Sequence, residues 1–156
     1  MDSPVGRLRL AADGAGLRRI DFLGSSEAEP APPDWIRAAA PLKRFVEELE
    51  SYFDGALRAF EAPLAPQGTA FQQDVWSCLR AIPYGATTSY GEIAARIGRP
   101  KASRAVGLAN GRNPIPIIIP CHRVVGKDGS LVGYGGGLHI KRKLLALERA
   151  RLPTLI

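Results

Sequence analysis

Arg7-Leu8-Arg9-Leu10 alternates polar and apolar, the period of two that sends successive side chains to opposite faces of a strand. Asp13-Gly14-Ala15-Gly16 supplies a turn, and Leu17 to Phe22 resumes the extended pattern, so this stretch predicts a hairpin. Glu27 to Asp34 is dense in proline and acid and predicts a loop. From Pro41 the period lengthens. Leu42, Phe45, Val46, Leu49, Tyr52 and Phe53 share one helical face, Pro41 suits the first helical position, and Gly55 ends the run. Ala62-Pro63-Leu64-Ala65-Pro66-Gln67-Gly68 reads as an extended linker that divides the chain into residues 1–65 and 66–156.

The second part is mostly of helical period. A helix beginning near Thr69 points Phe71, Val75, Cys78, Leu79 and Ile82 inward. Ile82-Pro83-Tyr84-Gly85 breaks it. Ser89-Tyr90-Gly91-Glu92 has the spacing of a capping box and opens a short helix with Ile93, Ala94 and Ile97 inside. Gly98-Arg99-Pro100 turns the chain into a helix over Lys101 to Asn110, which gives a helix-turn-helix outline. That second helix is poor in bulk: Ala102, Ser103, Ala105, Gly107 and Ala109 surround one long side chain, Arg104. Such a helix packs closely, either inside the domain or against a groove. Ile115 to Ile119, broken only by Pro116, is an apolar run that leads into Cys121-His122. The glycine-rich span Gly126 to Gly137 encloses Tyr134. A last helix, roughly Leu138 to Arg149, turns Leu138, Leu144, Leu145 and Leu147 inward and Lys141-Arg142-Lys143 to solvent.

Composition narrows the class. The 156 residues are 46% hydrophobic and 23% charged, ordinary for a globular protein, and no stretch approaches the roughly 20 apolar residues of a membrane span. Met1-Asp2-Ser3-Pro4 does not open a signal peptide. Cys78 and Cys121 are too few for a disulfide-stapled scaffold, which favours a reducing, cytoplasmic setting. Charge divides unevenly. Residues 1–65 hold 8 Lys/Arg against 11 Asp/Glu, and residues 66–156 hold 13 against 4. The second part is therefore either a surface for a polyanion, with nucleic acid foremost, or a solvated basic face.

Candidate chemistry centres on Cys121 and His122. A cysteine becomes nucleophilic when its surroundings favour the thiolate, and a histidine beside it is a proton acceptor. In an extended segment the two side chains point apart, which leaves room for a bridging water. Glu148, one of only four acids in the basic part, is the candidate carboxylate, and one oriented on the histidine makes it a better proton acceptor. The other reading is a buried small hydrophobe beside a core histidine. No metal or cofactor is expected. Cys78, Cys121, His122 and His139 lack paired spacing, no P-loop is present, and Gly133 to Gly137 lacks the strand-to-helix setting of a dinucleotide fingerprint, so it reads as a flexible loop.

Pro120-Cys121-His122-Arg123-Val124 resembles the active-site signature of the methylated-DNA–protein-cysteine methyltransferases, which repair O6-alkylguanine. Further matches run in order from Tyr52-Phe53-x-Gly55 through Phe71-Gln72, Val75-Trp76, Ile82-Pro83-Tyr84-Gly85, Ser89-Tyr90-Gly91 and Arg104-Ala105-Val106-Gly107. They continue through Asn113-Pro114, the Cys121 box, Gly133-Tyr134-x-Gly136-Gly137-Leu138 and Leu144-Leu145-Ala146-x-Glu148. The resemblance covers almost all of residues 52 to 148.

The resemblance implies an α+β fold. A small N-terminal α/β domain, an antiparallel sheet plus helix of ribonuclease H-like kind, precedes a mostly helical, winged-helix-like DNA-binding domain. It implies single-turnover transfer of an alkyl group from O6-alkylguanine, with alkylthymine a further substrate, by a monomer whose partner is double-stranded DNA. Cys121 is then the acceptor, His122 takes its proton through a water, Glu148 orients His122, and Asn113 holds the turn. Tyr134 donates to the guanine, the main chain at Cys121 and Val124 accepts from its exocyclic amine, and Gly135 offers only its backbone N–H to the alkylated oxygen. Tyr90 crowds the phosphate beside the target and Arg104 fills the gap left by the extruded base. Ala102, Ser103 and Gly107 let the helix enter the groove, and Lys101, Arg112 and Arg123 add affinity for the DNA backbone. Two alternatives predict different behaviour: a cysteine hydrolase would turn over, and a non-catalytic helix-turn-helix DNA binder would not need Cys121.

Overall fold

A hairpin, a helix and an extended linker precede a helical half in the computed structural model, which describes residues 1–26 and 28–153. Glu27, the first residue of the expected proline-rich loop, lies outside the described residues, as do residues 154–156. The architecture is mixed α+β, as the sequence predicts. No helix among the described residues is long and apolar enough to cross a membrane.

β1 (Leu8–Asp13) and β2 (Gly16–Phe22) pair antiparallel, with Leu8 opposite Phe22, Asp13 opposite Gly16 and a register shift between Ala11 and Ala12. Asp13 closes the turn by accepting the Ala15 N–H at 2.9 Å. Leu8, Leu17, Ile20 and Phe22 are buried in the core. α1 (Lys43–Phe53) follows a single 3-10 turn over Ala40–Leu42. Pro41 therefore lies in that turn and not at the first position of the α-helix. Phe45, Leu49, Tyr52 and Phe53 form its buried face, each contributing roughly 1.5–3 kcal/mol.

The linker is held along β2. Leu17 donates to Pro63 O at 2.9 Å, and Ala65 donates to Leu17 O at 2.8 Å. Gly16 makes the approach possible: at φ +139° it sits where a Cβ would lie 2.5 Å from Pro63 O.

α2 (Ala70–Arg80) starts with a capping box between Thr69 and Gln72. Val75, Trp76 and Leu79 are its buried face, while Phe71 and Cys78 are half-buried. Trp76 is the inward residue that helical period alone misses; its indole N–H donates to Ala109 O at 2.9 Å. β3 (Thr88–Ser89) leads into α3 (Tyr90–Arg96), capped reciprocally by Ser89 and Glu92 as expected. Gly98, at φ +75°, ends α3. α4 (Ser103–Gly111) packs on α2 and α3. It begins two residues later than predicted, leaving Lys101 and Ala102 in the preceding turn. β4 (Val124–Val125) runs parallel to β3 and α5 (Leu138–Ala150) closes the chain. α5 buries Ile140, Lys141, Leu144, Leu145 and Glu148. Two expectations fail on this helix: Leu138 is 41% exposed, and Lys141 is fully buried instead of facing solvent.

Candidate active site

The apolar run before Cys121 forms a tight turn and not a strand. Pro116 and Pro120 have no N–H to give a ladder. The chain folds back instead, with Ile119 N–H donating to Ile115 O at 2.9 Å and Ile117 at φ +77°. That φ is strained for a β-branched residue, at about 1–3 kcal/mol. Burial offsets it, since Ile115, Ile117 and Ile119 are all fully enclosed. Asn113 braces the turn from both ends: Nδ2 donates to Ile119 O at 2.7 Å and Oδ1 accepts from Ile115 N at 3.0 Å. Pro120, at φ −81° and ψ 63°, makes the last bend, and Cys121 N–H donates to Ile119 O at 2.8 Å. Cys121–Arg123 is then one 3-10 turn, which replaces the extended segment expected at the Cys-His pair.

Behind Cys121 lies a buried charged cluster. His122 and Glu148 are both fully enclosed, with Nε2 and Oε1 2.7 Å apart. Arg123 grips the same carboxylate, Nε to Oε2 at 3.0 Å and Nη2 to Oε1 at 2.9 Å, while Nη1 donates to Ile82 O at 2.8 Å. Tyr52 Oη donates to Oε1 at 2.8 Å and Gly85 N–H to Oε2 at 3.2 Å. Burial pushes the Glu148 carboxyl up, but the hydrogen bonds and charges of His122 and Arg123 outweigh it and hold the group at about 2. An ionised Glu148 only accepts, so Nε2 of His122 is the donor and Nδ1 of the neutral ring carries the free lone pair. Nδ1 is buried and has no partner among the described residues. Burial also lowers the pKa of His122, against the pull of Glu148, so the ring is a neutral acceptor.

Cys121 is 4% exposed and lines a cleft of about 650 Å³ together with Tyr90, Gly107, Asn110, Tyr134 and Gly135. Burial raises the thiol's pKa; Asn113, the Lys141 charge and Tyr134 act the other way. The resting group is therefore a thiol that needs its proton removed. Tyr134 Oη is buried without a hydrogen-bond partner among the described residues, and burial, then the neighbouring Cys121, raise its pKa well above the usual phenol value, so it remains a donor. The loop carrying Tyr134 is tied at Val132, whose carbonyl accepts from Tyr90 Oη at 3.0 Å and from Lys141 Nζ at 3.1 Å. The β2 residues Arg19 to Phe22 complete the cleft, and Phe22 packs on Tyr134 with ring centroids 5.8 Å apart.

The structure thus brings Cys121, Asn113, Tyr134, Gly135, Tyr90 and Gly107 to one cleft, with His122 and Glu148 behind the sulfur. Val124 is fully buried in β4, opposite Thr88. Arg104, Lys101 and Arg112 are exposed, and Ala102 and Ser103 are half-buried at the start of α4. Arg123 must be corrected. It is 6% exposed and its guanidinium turns inward to Glu148 and Ile82, so it presents no charge to a DNA backbone. Gly136, within the span read as a flexible loop, is buried against Phe22. Tyr52, Asn110, Lys141 and the β2 wall are site residues that the sequence reading did not reach. No group of three or more His, Cys, Asp or Glu side chains among the described residues is arranged to hold a metal ion.

Comparison with known proteins gives a consistent picture. Residues 1–66 match the family model for the 6-O-methylguanine DNA methyltransferase ribonuclease-like domain, and residues 70–150 match that for the DNA binding domain of the same proteins. The methylated-DNA–protein-cysteine methyltransferase of Methanosarcina acetivorans is 51% identical over 147 residues, 94% of each chain. Its counterpart in Mycobacterium tuberculosis is 51% identical over 154 residues, covering 99% of this chain and 93% of that one. Crystal structures agree. The M. tuberculosis O6-methylguanine methyltransferase superposes with a TM-score of 0.91 at 51% identity, covering 98% of this chain and 92% of that one. M. tuberculosis OGT in complex with DNA gives 0.90 at 50% identity with the same coverage.

Proposed function

This chain belongs to the 6-O-methylguanine DNA methyltransferase family, and on that footing we propose that Cys121 is the residue that takes the alkyl group. The protein is a DNA-repair transferase that moves an alkyl group from methylated DNA to a cysteine of its own, and duplex DNA is its partner. The observation that carries the choice of Cys121 is its placement: the thiol lines the cleft, and beside it His122 presents an unpartnered Nδ1 while Glu148 holds Nε2. The other cysteine, Cys78, is half-buried on α2 and lines no part of this cleft.

The target oxygen lies inside the base stack, so the nucleotide is extruded at a cost of a few kcal/mol. Arg104, exposed on α4, fills the vacated space, and Tyr90 crowds the adjoining phosphate. Lys101 contributes charge, and Ala102, Ser103 and Gly107 keep the helix slim. The exposed cations give an affinity that falls with salt. In the cleft, the Cys121 proton passes through a water to His122 Nδ1. The sulfur then attacks the alkyl carbon, a C–S bond forms, and the C–O6 bond breaks with its electron pair going to guanine. Tyr134 donates to the departing base and stabilises the charge it gathers, while Val124 and Gly135 supply backbone contacts. Glu148 stabilises the imidazolium. The product is a thioether, which water does not cleave, so each chain acts once as a monomer. Asn113 keeps the Cys121 turn in shape. Residues 1–65 and 66–156 form the two domains, and the setting is the cytoplasm, with the DNA. Alkylthymine is a secondary substrate.

The test is a duplex carrying labelled O6-alkylguanine. One label per chain, lost in Cys121→Ser, is the expected result. Repeated turnover, or label on Cys78, would overturn the reading.

A further inference from the structure

The exposed face of α4 carries one large apolar side chain, Leu108, which is 65% exposed. Single leucines scattered over a surface need no explanation, but the position of this one does. Val106, Ala109 and Asn110 mark the buried side of the helix. Arg104 and Leu108 stand opposite them, one turn and about 40° apart. Gly107 and Gly111 line the cleft. Going round the helix from the cleft, the two glycines come first, then Arg104, then Leu108. Leu108 therefore lies beside Arg104, on the side away from the cleft. Ala105 and Gly111, the other exposed positions of α4, carry no bulk that would hold the leucine off a neighbouring surface. The surroundings are cationic. Arg96, Arg99, Lys101 and Arg112 are all exposed, and no acid occurs between Glu92 and Asp128. An apolar centre ringed by cations complements a nucleic-acid groove, where phosphates line the rims and sugar rings and base edges lie between them.

We infer that Leu108 is an apolar wedge for the DNA duplex: it packs against the sugar and base surface beside the gap that Arg104 fills, and so stabilises the extruded state of the target nucleotide. The inference rests on the reading of α4 as the helix that meets the damaged duplex. Extrusion unstacks the bases on either side of the gap and opens apolar surface to water. The guanidinium of Arg104 supplies charge and hydrogen-bond donors, whereas the leucine supplies apolar cover. The cover comes from a side chain that is already exposed in the free protein, so the core is not disturbed, and two apolar surfaces leave water together. Because the DNA surface opens only on unstacking, contact with Leu108 favours the extruded nucleotide over the stacked one.

The experiment measures single-turnover rates of methyl transfer to Cys121 from a duplex containing O6-methylguanine and from the free O6-methylguanine base. The wild-type chain, Leu108→Ala, Leu108→Met, Leu108→Gln and Arg104→Ala are compared, with the thermal midpoint of each. Leu108→Ala is expected to slow the duplex reaction about tenfold, a part of what complete burial of a leucine supplies. It is expected to react with the free base as wild type does and to melt no lower, since the side chain is exposed and alanine favours a helix. Leu108→Met, apolar and of similar volume, is expected to keep most of the duplex rate, and Leu108→Gln to lose it as alanine does. A duplex rate in Leu108→Ala within about twofold of wild type, while Arg104→Ala is slow, overturns the inference and leaves the DNA reading of α4 standing. Equal losses on both substrates overturn it as well, because they mark a structural residue. So does a wild-type dimer in sedimentation velocity that Leu108→Ala dissociates, which would give the leucine to a second copy of this chain. If neither Arg104→Ala nor Leu108→Ala slows the duplex reaction, the DNA reading of α4 fails and this inference falls with it. Absence of label on Cys121 from either substrate strikes the alkyl-transfer assignment first.

Discussion

Tyr52 on α1 donates a 2.8 Å hydrogen bond to Glu148 on α5, 96 positions later in the chain. Both groups are fully buried, so the first half of the chain satisfies a carboxylate that belongs to the proposed reaction centre of the second. Removing only the hydroxyl, as Tyr52→Phe, leaves the His122 and Arg123 contacts in place. A hydrogen bond to a charged group contributes about 1.5–3 kcal/mol, and a loss in that range is expected in urea unfolding. A loss below about 0.5 kcal/mol would show that the bond contributes nothing to stability.

Arg123 and Arg104 separate stability from DNA handling. Arg123→Met leaves Glu148 a buried charge short of its guanidinium and is expected to cost about 3–5 kcal/mol of folding stability. Arg104 is exposed, so Arg104→Ala is expected to stay within about 0.5 kcal/mol of wild type. Its effect falls on repair instead: duplex substrate reacts much more slowly while the free alkylated base reacts as before. Equal losses on both substrates would remove the gap-filling role.

Acid sensitivity follows from the buried cluster. The folded-state value of Glu148, about 2, lies below its ordinary 4.5, so the unfolded chain binds the proton first as pH falls. The stabilisation is fully present above about pH 5 and is lost progressively between there and pH 2, in an amount on the order of 3 kcal/mol. His122, lowered from 6.5 by burial, acts with the same sign: its contribution declines as pH drops below that value. Urea midpoints measured from pH 7 to pH 3 should fall, and Glu148→Gln should flatten the lower part of the curve. A parallel curve for that variant would exclude Glu148 as the source.

Gly16 and Gly14 give a matched pair on one hairpin. A Cβ at Gly16 meets Pro63 O at 2.5 Å from a left-handed backbone, whereas a Cβ at Gly14 meets nothing within 4 Å. Gly16→Ala is expected to cost about 2 kcal/mol or more, and Gly14→Ala to stay within about 0.5 kcal/mol. Thermal midpoints of the two variants decide it.

The elements set by local chemistry were legible in the sequence. The hairpin follows from alternation and a glycine turn, and the Ser89 capping box names the start of α3. Cys121, His122 and Glu148 were named as site residues through the resemblance, and the structure sets the latter two in hydrogen-bonding contact. What escaped depends on partners far away in sequence. Arg123 and Lys141 read as surface cations because charge usually means solvent; Glu148 and three backbone carbonyls are what allow them inside. The run before Cys121 read only as apolar; two missing N–H groups and the Asn113 brace are what make it a tight turn.

The Val132 carbonyl couples two events that chemistry treats as separate. It takes one donor from Tyr90, beside the proposed phosphate track, and one from Lys141, a buried residue of α5. Pushing the Tyr90 ring aside therefore strips a donor from a loop carbonyl two residues before Tyr134. Whatever free energy that displacement adds to or removes from seating the base, a seated base returns in equal measure to the position of Tyr90. On the proposed roles of Tyr90 and Tyr134, the arrival of the phosphate and the grip on guanine become two readings of one equilibrium, with a single peptide oxygen as its fulcrum.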